Sequence, residues 1–228
     1  QAVFDLNGRW VSRADFNAAL ATVKPERILF DFGQDDDLRL WQRTSNDPSI
    51  PTRHEIVAAQ NGKALHVDIG KLTGWDTFMS PPLTNAYAPG QTLTCFRAKG
   101  GSHTKQLALE CTETDGSRWI ATVALTPEWR SYALTPAAFK AWEPPPARRG
   151  EQDCFQPRNA ARFVVGLAHT HTAVEGERQE YWFADLGTAT SPFGDASLPD
   201  EIKLPHLESF APGYQFFPIA TNVLVYEA

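Results

Sequence analysis

The sequence predicts an all-β protein, an antiparallel β-sandwich with short helical turns and an extended C-terminal tail. Apolar residues recur with a period close to two through most of the 228 residues, as in strands that bury one face. The segments between these runs are rich in Gly, Pro, Asn, Asp and Ser, which favour turns. The chain also contains 14 Phe and 7 Trp, enough aromatic volume to fill a core. One domain with extensions is expected, because all-β domains often reach ~200–250 residues.

The alternating segments define the strands in chain order. Strands are predicted at residues 27–32, 38–43, 54–59, 64–69, 92–98, 106–112, 118–125, 130–134, 161–169 and 180–187. Asn61-Gly62 and Asp115-Gly116 each lie between alternating segments and predict tight hairpins, because both dipeptides tolerate positive φ. Helical signal is confined to 12–23 and 136–142, each too short to organise a fold.

The distribution of proline divides the chain into three parts. Residues 1–26 are an N-terminal extension, 27–190 the sandwich, and 191–228 a tail whose prolines forbid regular ladder pairing, so that it is expected to lie over the sandwich. Four aromatic residues would attach the tail by burying area, namely Phe210, Tyr214, Phe216 and Phe217. Residues 223–226 could pair as a final edge strand.

Charge and composition limit the classes of partner that the chain is expected to bind. The formal net charge is −6 and the 21 Lys and Arg residues are scattered, so no footprint for nucleic acid is present. No apolar run approaches the ~18 residues that cross a bilayer, so membrane insertion is not expected. A start at Gln1 is compatible with a mature chain after leader removal, and equally with a cloned fragment; we expect a secreted protein, extracellular or periplasmic.

The three cysteines, Cys95, Cys111 and Cys154, lack the spacing of a zinc site. At most one disulfide is possible. A Cys95–Cys111 bond between neighbouring predicted strands and two buried free thiols are the alternatives.

Three landmarks occur in an order that resembles the galactose-binding-like β-sandwich of carbohydrate-binding modules. The segment Ile28-Leu29-Phe30-Asp31-Phe32 leads through an acidic loop to Trp41. The segment from Trp129 to Leu134 precedes Phe139, and Arg162–Leu167 with Tyr181–Leu186 is similar to the last two core strands. The resemblance covers residues 27–190.

This resemblance implies a jelly roll of two antiparallel sheets, often attached to glycan-active enzymes and frequently stabilised by calcium. Asp31 and Asp185 on the first and last core strands are the implied calcium ligands, with oxygens from residues 35–37. The family's closing strand commonly shows two adjacent acids, whereas Ala184 occupies the first position here. Alternatively, Asp31 and Asp185 cap turns or pair with arginine.

A glycan site needs exposed aromatic rings for the apolar face of a sugar and polar groups for its hydroxyls. Trp75 in a Thr-Gly-Trp-Asp loop, Trp142 beside the proline run and Trp119 next to Arg118 are the candidates, and His169 could bond a hydroxyl. Alternatively these tryptophans belong to the core, where three others are expected: Trp41, Trp129 and Trp182.

Catalytic patterns are weaker. His169 and His171 could ligate a transition metal only with a third ligand, and a solvated pair is the simpler interpretation. No alternating carboxylates of a sandwich glycosidase are present. A lyase site could be assembled from a Tyr or His base and a neutralising Arg, with Tyr132, Tyr181, His66 and Arg97 as candidates.

The sequence therefore favours a non-catalytic carbohydrate-binding module that holds an attached or partner enzyme on a polysaccharide. A jelly-roll polysaccharide lyase or glycoside hydrolase is the second hypothesis. A structural accessory domain that packs on a neighbour through its aromatic tail is the third.

Overall fold

The fold is described from a computed structural model that covers residues 2–4, 10–33, 37–143, 145–148, 153–174, 178–192, 216–218 and 224–226. Most residues lie in two antiparallel sheets that face each other. Each of the two sheets contains six strands. The predicted all-β sandwich is confirmed.

The strands of the first sheet are β4 (Gln42–Ser45), β7 (Trp75–Met79), β9 (Gln106–Glu113), β10 (Arg118–Ala124), β12 (Lys140–Ala141) and β13 (Ala160–Ala168). The strands of the second are β3 (Arg27–Phe30), β5 (Thr52–Ala58), β6 (Lys63–Ile69), β8 (Gln91–Gly100), β11 (Arg130–Leu134) and β14 (Gln179–Thr190). The first sheet has the strand order β12-β10-β9-β13-β7-β4, and the second has β11-β8-β14-β6-β5 with β3 paired to β14. A further small sheet has the order β15-β16-β1-β2 and consists of β15 (Phe216–Pro218), β16 (Leu224–Tyr226), β1 (Ala2–Phe4) and β2 (Trp10–Ser12).

Helical structure is short. Helix α1 spans Arg13–Thr22, which confirms the prediction for residues 12–23, and α2 spans Asp37–Leu40. Three 3-10 turns occupy Pro136–Ala138, Pro146–Arg148 and Pro157–Asn159. No helix among the described residues is long and apolar enough to cross a membrane.

The core lies between the two sheets because each strand alternates its side chains across the sheet. On β9, Leu107, Leu109 and Cys111 point inward, while Ala108 and Glu110 point to the outer face. The largest fully buried side chains are aromatic: Trp119, Tyr181, Phe32, Phe78, Phe96, Phe155, Phe163 and Phe183. The aromatic content of the sequence thus fills the space between the sheets, as predicted.

Both predicted hairpins are present. Gly62 has φ of 87° between β5 and β6, and Gly116 has φ of 85° between β9 and β10. Residues that carry a side chain rarely adopt such a φ, so glycine at these two positions permits the tight turn.

The predicted strand at 38–43 is wrong in part, because its first half forms α2 and β4 continues to Ser45. Strand β7 was not predicted. Its inward positions are Asp76 and Phe78, and a carboxylate among the buried positions hides the two-residue period. Asp76 is accommodated because it is paired inside the sandwich with Arg43.

The predicted edge strand at 223–226 forms as β16, but it lies inside the small sheet, paired on one side with β15 and on the other with β1. The predicted contacts of Phe210 and Tyr214 lie outside the described residues. Phe216 and Phe217 are described only as backbone of β15.

The outer face of the second sheet is covered at one end by α1, whose Leu20 packs with Val23 against the small cluster Leu93, Cys95, Ala133 and Ala189. At the other end a row of five side chains crosses the sheet: Trp129, Lys99, Trp182, His66 and Glu55. We call this the outer row. The Lys99 ammonium lies 4.1 Å from the Trp182 ring centroid, and the His66 ring stacks on the opposite side of the same indole at 4.5 Å.

The outer row corrects an expectation from the sequence. Trp41 is buried, as expected, but Trp129 and Trp182 are only half-buried and lie outside the core. The reason is the alternation of β14, in which Tyr181 and Phe183 take the inward positions on either side of Trp182.

All three cysteines are free thiols, so the Cys95–Cys111 disulfide is wrong and the alternative of two buried thiols is confirmed. Cys95 lies under α1 on the outer face of the second sheet, whereas Cys111 points into the core from the first. The two side chains therefore point to different layers.

Alkylation is expected to distinguish these thiols. Burial raises the pKa of Cys95 to about 12 and raises that of Cys111 well above its ordinary value, and the thiolate is the reactive species. Iodoacetamide at mildly alkaline pH should label the exposed Cys154 in the native protein, and all three cysteines after unfolding. Native labelling at Cys111, read by peptide mass spectrometry, would contradict this arrangement.

Candidate functional site

A groove with a volume of about 560 Å³ lies on the outer face of the first sheet. Its floor consists of outward-facing side chains of five strands, and its lining extends from Thr44 on edge strand β4 to Trp142 beyond the opposite edge strand β12. The floor residues are Thr44, Thr77, Ala108, Glu110, Arg118, Ile120, Val164 and Gly166. The groove therefore crosses the sheet from one edge to the other.

Two tryptophans stand at its two ends. Trp75 begins β7 and is 47% exposed, and Trp142 directly follows β12 and is 42% exposed. The Trp142 N–H donates to the Arg118 carbonyl at 2.8 Å. Its ring meets His171 edge to face, with centroids 4.2 Å apart. Both indoles thus keep a large solvent-accessible area on one groove.

Small residues line the groove on the two central strands. Gly166 of β13 pairs with Ala108 of β9, and Ala168 follows two residues later on β13. A Cβ on Gly166 would stand 2.4 Å from the Asp76 carbonyl oxygen and 2.6 Å from the Thr77 Cα. Glycine at this position allows β13 to approach β7 closely.

The charged groups of the groove are gathered at the Trp142 end. Arg118 donates through Nε and Nη2 to the carboxylate of Glu110 at 2.6 and 2.8 Å, and through Nη1 to Glu143. The hydrogen bonds to Glu110 raise the pKa of Arg118 above its ordinary value. The guanidinium stays charged and keeps two N–H groups for a ligand. Among the described lining residues the carboxylates exceed the permanent cations by one.

The two histidines have different surroundings. His169 donates its backbone N–H to the Gly74 carbonyl at 2.9 Å, and its Nε2 lies 3.3 Å from the Leu72 carbonyl. Burial lowers the pKa of His171, which keeps this ring neutral at neutral pH. Within the ranges described, no group of three or more His, Cys, Asp or Glu is placed to hold a metal ion.

Four of the five carbohydrate-binding residues predicted from sequence line this groove: Trp75, Trp142, Arg118 and His169. Trp119 does not. It is 2% exposed and points into the core, where its Nε1–H donates to Ser117 Oγ at 3.2 Å. Because β10 alternates, an outward Arg118 requires an inward Trp119, so Trp119 offers no ring to a ligand.

Four further groove residues were not predicted from the sequence: Thr44, Thr77, Glu110 and His171. Thr44 and Thr77 are cross-strand neighbours whose hydroxyl oxygens lie 2.8 Å apart. The only available signal was the outward position of each residue on its strand, and that signal became usable once the strand order was known.

The predicted lyase residues do not meet. Tyr181 is buried in the core, and the Tyr132 hydroxyl donates to the Ala124 carbonyl at 2.6 Å. His66 and Arg97 lie on the outer face of the second sheet, away from the groove. These four residues therefore do not share a concave face.

Asp31 and Asp185 are neighbours, because the ladder pairs Leu186 with Phe30. Asp185 Oδ2 accepts a hydrogen bond from Arg97 Nε, and Asp31 Oδ1 accepts from the Gly33 N–H at 2.7 Å. Calcium needs six to eight oxygens, and a guanidinium at Asp185 opposes a cation there. The described residues alone therefore do not fit a calcium site. Asp35 and Asp36 lie outside the described residues, and Asp37 is described only as backbone.

Calcium binding stays a prediction, and thermal unfolding tests it. An ion that binds the folded state raises the unfolding midpoint with the logarithm of its concentration above the dissociation constant. If residues 35–37 complete the site, the midpoint should rise from EGTA to millimolar calcium, and Asp185→Asn should remove the rise. Equal unfolding midpoints of the wild type in both buffers would mean that Asp185 pairs with Arg97 and binds no calcium.

Comparisons with known proteins bear on the fold. No protein-family profile matches the chain, and no curated protein does. Among solved structures, the family 11 carbohydrate-binding module from Clostridium thermocellum, in complex with a β-1,3-1,4-mixed-linked tetrasaccharide, superposes with a TM-score of 0.57 at 12% identity, covering 75% of this chain and 98% of that one. The chain has the jelly-roll fold of carbohydrate-binding modules. The jelly-roll fold that the three sequence landmarks implied is therefore confirmed, and the landmarks correspond to β3, β11 and the pair β13–β14.

A second similar structure is an exo-β-agarase, with a TM-score of 0.54 and 11% identity. The match covers 73% of this chain but 26% of the agarase chain. The jelly-roll fold thus also occurs as one part of a larger enzyme chain.

Proposed function

We propose that the chain binds a neutral oligo- or polysaccharide in the groove, with sugar rings lying against Trp75 and Trp142. The observation that supports this most is the pair of exposed indoles at the two ends of one groove. A pyranose ring presents an apolar C–H face to an indole, and stacking on tryptophan is favoured where the ring is held in place. Hydroxyls at the sugar rim would meet Thr44, Thr77 and the free N–H groups of Arg118.

The length of the groove suits a chain of several sugar rings. From β12 to β7 the sheet order contains four strand spacings, about 19 Å across at ~4.8 Å each. The lining extends from one edge of the sheet to the other, so a chain of several rings could lie along it. The similar family 11 module was solved with a tetrasaccharide, a ligand that also consists of several linked rings.

The charges favour an uncharged glycan. Arg118 is the permanent cation among the described lining residues, and it is already bonded to Glu110 and Glu143. A uronate or sulfate group would meet an excess of carboxylate, and like charges disfavour binding.

Binding of this kind would hold an attached or partner enzyme on its polysaccharide. The similarity to one quarter of an agarase chain supports this part of the proposal. Both oxygens of Glu110 and one oxygen of Glu143 accept hydrogen bonds from the Arg118 guanidinium. Hydrolysis would require one free carboxylic acid and one free carboxylate, so we propose binding without cleavage.

Titration calorimetry against a panel of soluble glycans tests the proposal. Neutral β-glucans, agarose oligosaccharides and galactans form one set, and polyuronates and sulfated glycans form the other. We expect heat with at least one neutral glycan and a weak dependence on salt. Reducing-end and unsaturated-product assays on the same samples should stay at background. No heat with any glycan would overturn the proposal, and product formation would replace it with an enzyme.

A further inference from the structure

The turn that carries Trp75 is hydrogen-bonded to a side chain from another loop. Asn46 follows β4 and lies against residues 73–75. Its Oδ1 accepts from the Trp75 N–H at 2.9 Å, and its Nδ2 donates to Thr73 Oγ1 at 3.0 Å. The Asn46 N–H also donates to the Trp75 carbonyl at 3.2 Å. One asparagine therefore uses both ends of its amide and its backbone on the same turn.

Gly74 leaves the space that Asn46 occupies. A Cβ built on Gly74 would stand 2.7 Å from Asn46 Cγ and 2.8 Å from its Oδ1. Any larger residue at 74 must displace the amide, because real Cβ atoms do not approach so closely. On the other side, His169 donates its N–H to the Gly74 carbonyl. The turn is thus held between two loops.

The Trp75 ring itself has little to hold it. It is 47% exposed, and no aromatic or cationic side chain among the described residues packs on its faces. The direction of its Cα–Cβ bond is set by a backbone that pairs with Ala168 of β13 on one side and is hydrogen-bonded by Asn46 at both N–H and C=O. A ring held in the bound orientation before the ligand arrives avoids part of the entropy cost of binding.

We propose that Asn46 is the positioning residue of the groove: packed into the space over Gly74, it sets the orientation of Trp75 and so determines affinity at this end without contacting the ligand. The inference rests on the proposed glycan binding. It assigns a role to an exposed polar residue that forms no part of the groove lining. It also explains a glycine that has no positive φ to require it.

Two substitutions at position 46 distinguish the effect of the amide hydrogen bonds from the effect of the side-chain volume. Asn46→Leu keeps the size but loses both side-chain hydrogen bonds, and affinity should fall about tenfold because the Trp75 ring is no longer held in its bound orientation. Asn46→Asp keeps the acceptor for the Trp75 N–H, and the Thr73 hydroxyl can donate to its second oxygen. The Asn46→Asp variant should therefore bind within about twofold of wild type.

A double-mutant cycle decides whether Asn46 acts through Trp75. In a Trp75→Ala background, Asn46→Leu should cause no further loss of affinity, because coupled residues are non-additive. A second, full loss in that background would show that Asn46 touches the ligand directly, and would overturn the inference. Gly74→Ala should weaken binding alone but not in an Asn46→Ala background, where the new Cβ has room.

A readout without glycan keeps this test separate from the proposed function. The Trp75 indole N–H resonance, assigned by its loss in Trp75→Ala, should shift in Asn46→Leu and Gly74→Ala and stay near its wild-type position in Asn46→Asp. An unchanged resonance in Asn46→Leu would overturn the positioning role. If the wild type binds no glycan while these shifts occur, the proposed function fails and the positioning of Trp75 by Asn46 stands.

Discussion

Replacing Trp75 or Trp142 with alanine is expected to weaken glycan binding about thirtyfold or more, which corresponds to the ~2 kcal/mol that defines a dominant contact. Each indole leaves close to half of its surface uncovered at one end of the groove, and alanine offers a sugar ring no comparable apolar face. Since neither indole belongs to the buried core, each change should lower the unfolding midpoint less than removal of a core tryptophan would. Titration calorimetry with the best-binding neutral glycan measures the loss.

Trp129→Ala is the matched control. Trp129 is also a partly exposed tryptophan, but it lies over Arg97 on the second sheet, on the opposite side of the sandwich. Its removal should leave affinity unchanged. If Trp129→Ala weakens binding as much as Trp75→Ala does, the ligand lies on the second sheet and the groove is not the site.

The second large effect concerns stability. Arg43→Met is expected to lower the free energy of unfolding by about 3 kcal/mol, the lower end of the range for breaking a buried ion pair. Asp76 is 2% exposed, and it accepts from Arg43 Nε and Nη2 and from the Thr52 hydroxyl at 2.8 Å. Without the guanidinium, a charge stays buried inside β7 with one hydroxyl as its main partner. Urea unfolding followed by tryptophan fluorescence measures the change.

Two further variants show whether the ion pair is responsible. Arg53→Met removes a 70%-exposed arginine that pairs with Glu55 on the surface, and exposed pairs contribute ~0–1 kcal/mol. The double change Arg43→Met with Asp76→Leu should recover part of the loss, because apolar replacement of both partners removes the unpaired charge. A loss with Arg53→Met equal to that with Arg43→Met would show that the buried pair has no special role.

Strands in which apolar and polar residues alternate regularly could be predicted from the sequence. Strand β7, which has a carboxylate at an inward position, could not. On β10 every inward position is apolar, and on β9 a buried carboxylate, Glu113, occurs only at the last inward position. Both strands and their hairpin were therefore predictable. On β7 the inward Asp76 breaks the pattern, and its partner Arg43 is distant in sequence. The same alternation assigned Trp119 to the core once Arg118 was placed outward, although the sequence alone does not say which face of a strand is buried.

Several residues of the groove could be predicted from the sequence, but the geometry that brings them together could not. Trp75, Trp142, Arg118 and His169 stand out as chemically suitable residues, yet they come from β7, the segment after β12, β10 and the end of β13. Their proximity depends on the strand order β12-β10-β9-β13-β7, which arises from long-range pairing. Asn46 gave no signal at all, because its role depends on the space that Gly74 leaves in another loop.

The covered outer face of the second sheet has a practical consequence. There α1 and the outer row lie on the face opposite the groove, so a molecule bound through Trp75 and Trp142 to an insoluble fibre would turn this face away from the fibre. Helix α1 would then face the surrounding liquid. A fluorophore or affinity tag placed on α1 should remain accessible to antibodies after adsorption, which makes this helix the suitable attachment point for imaging bound molecules.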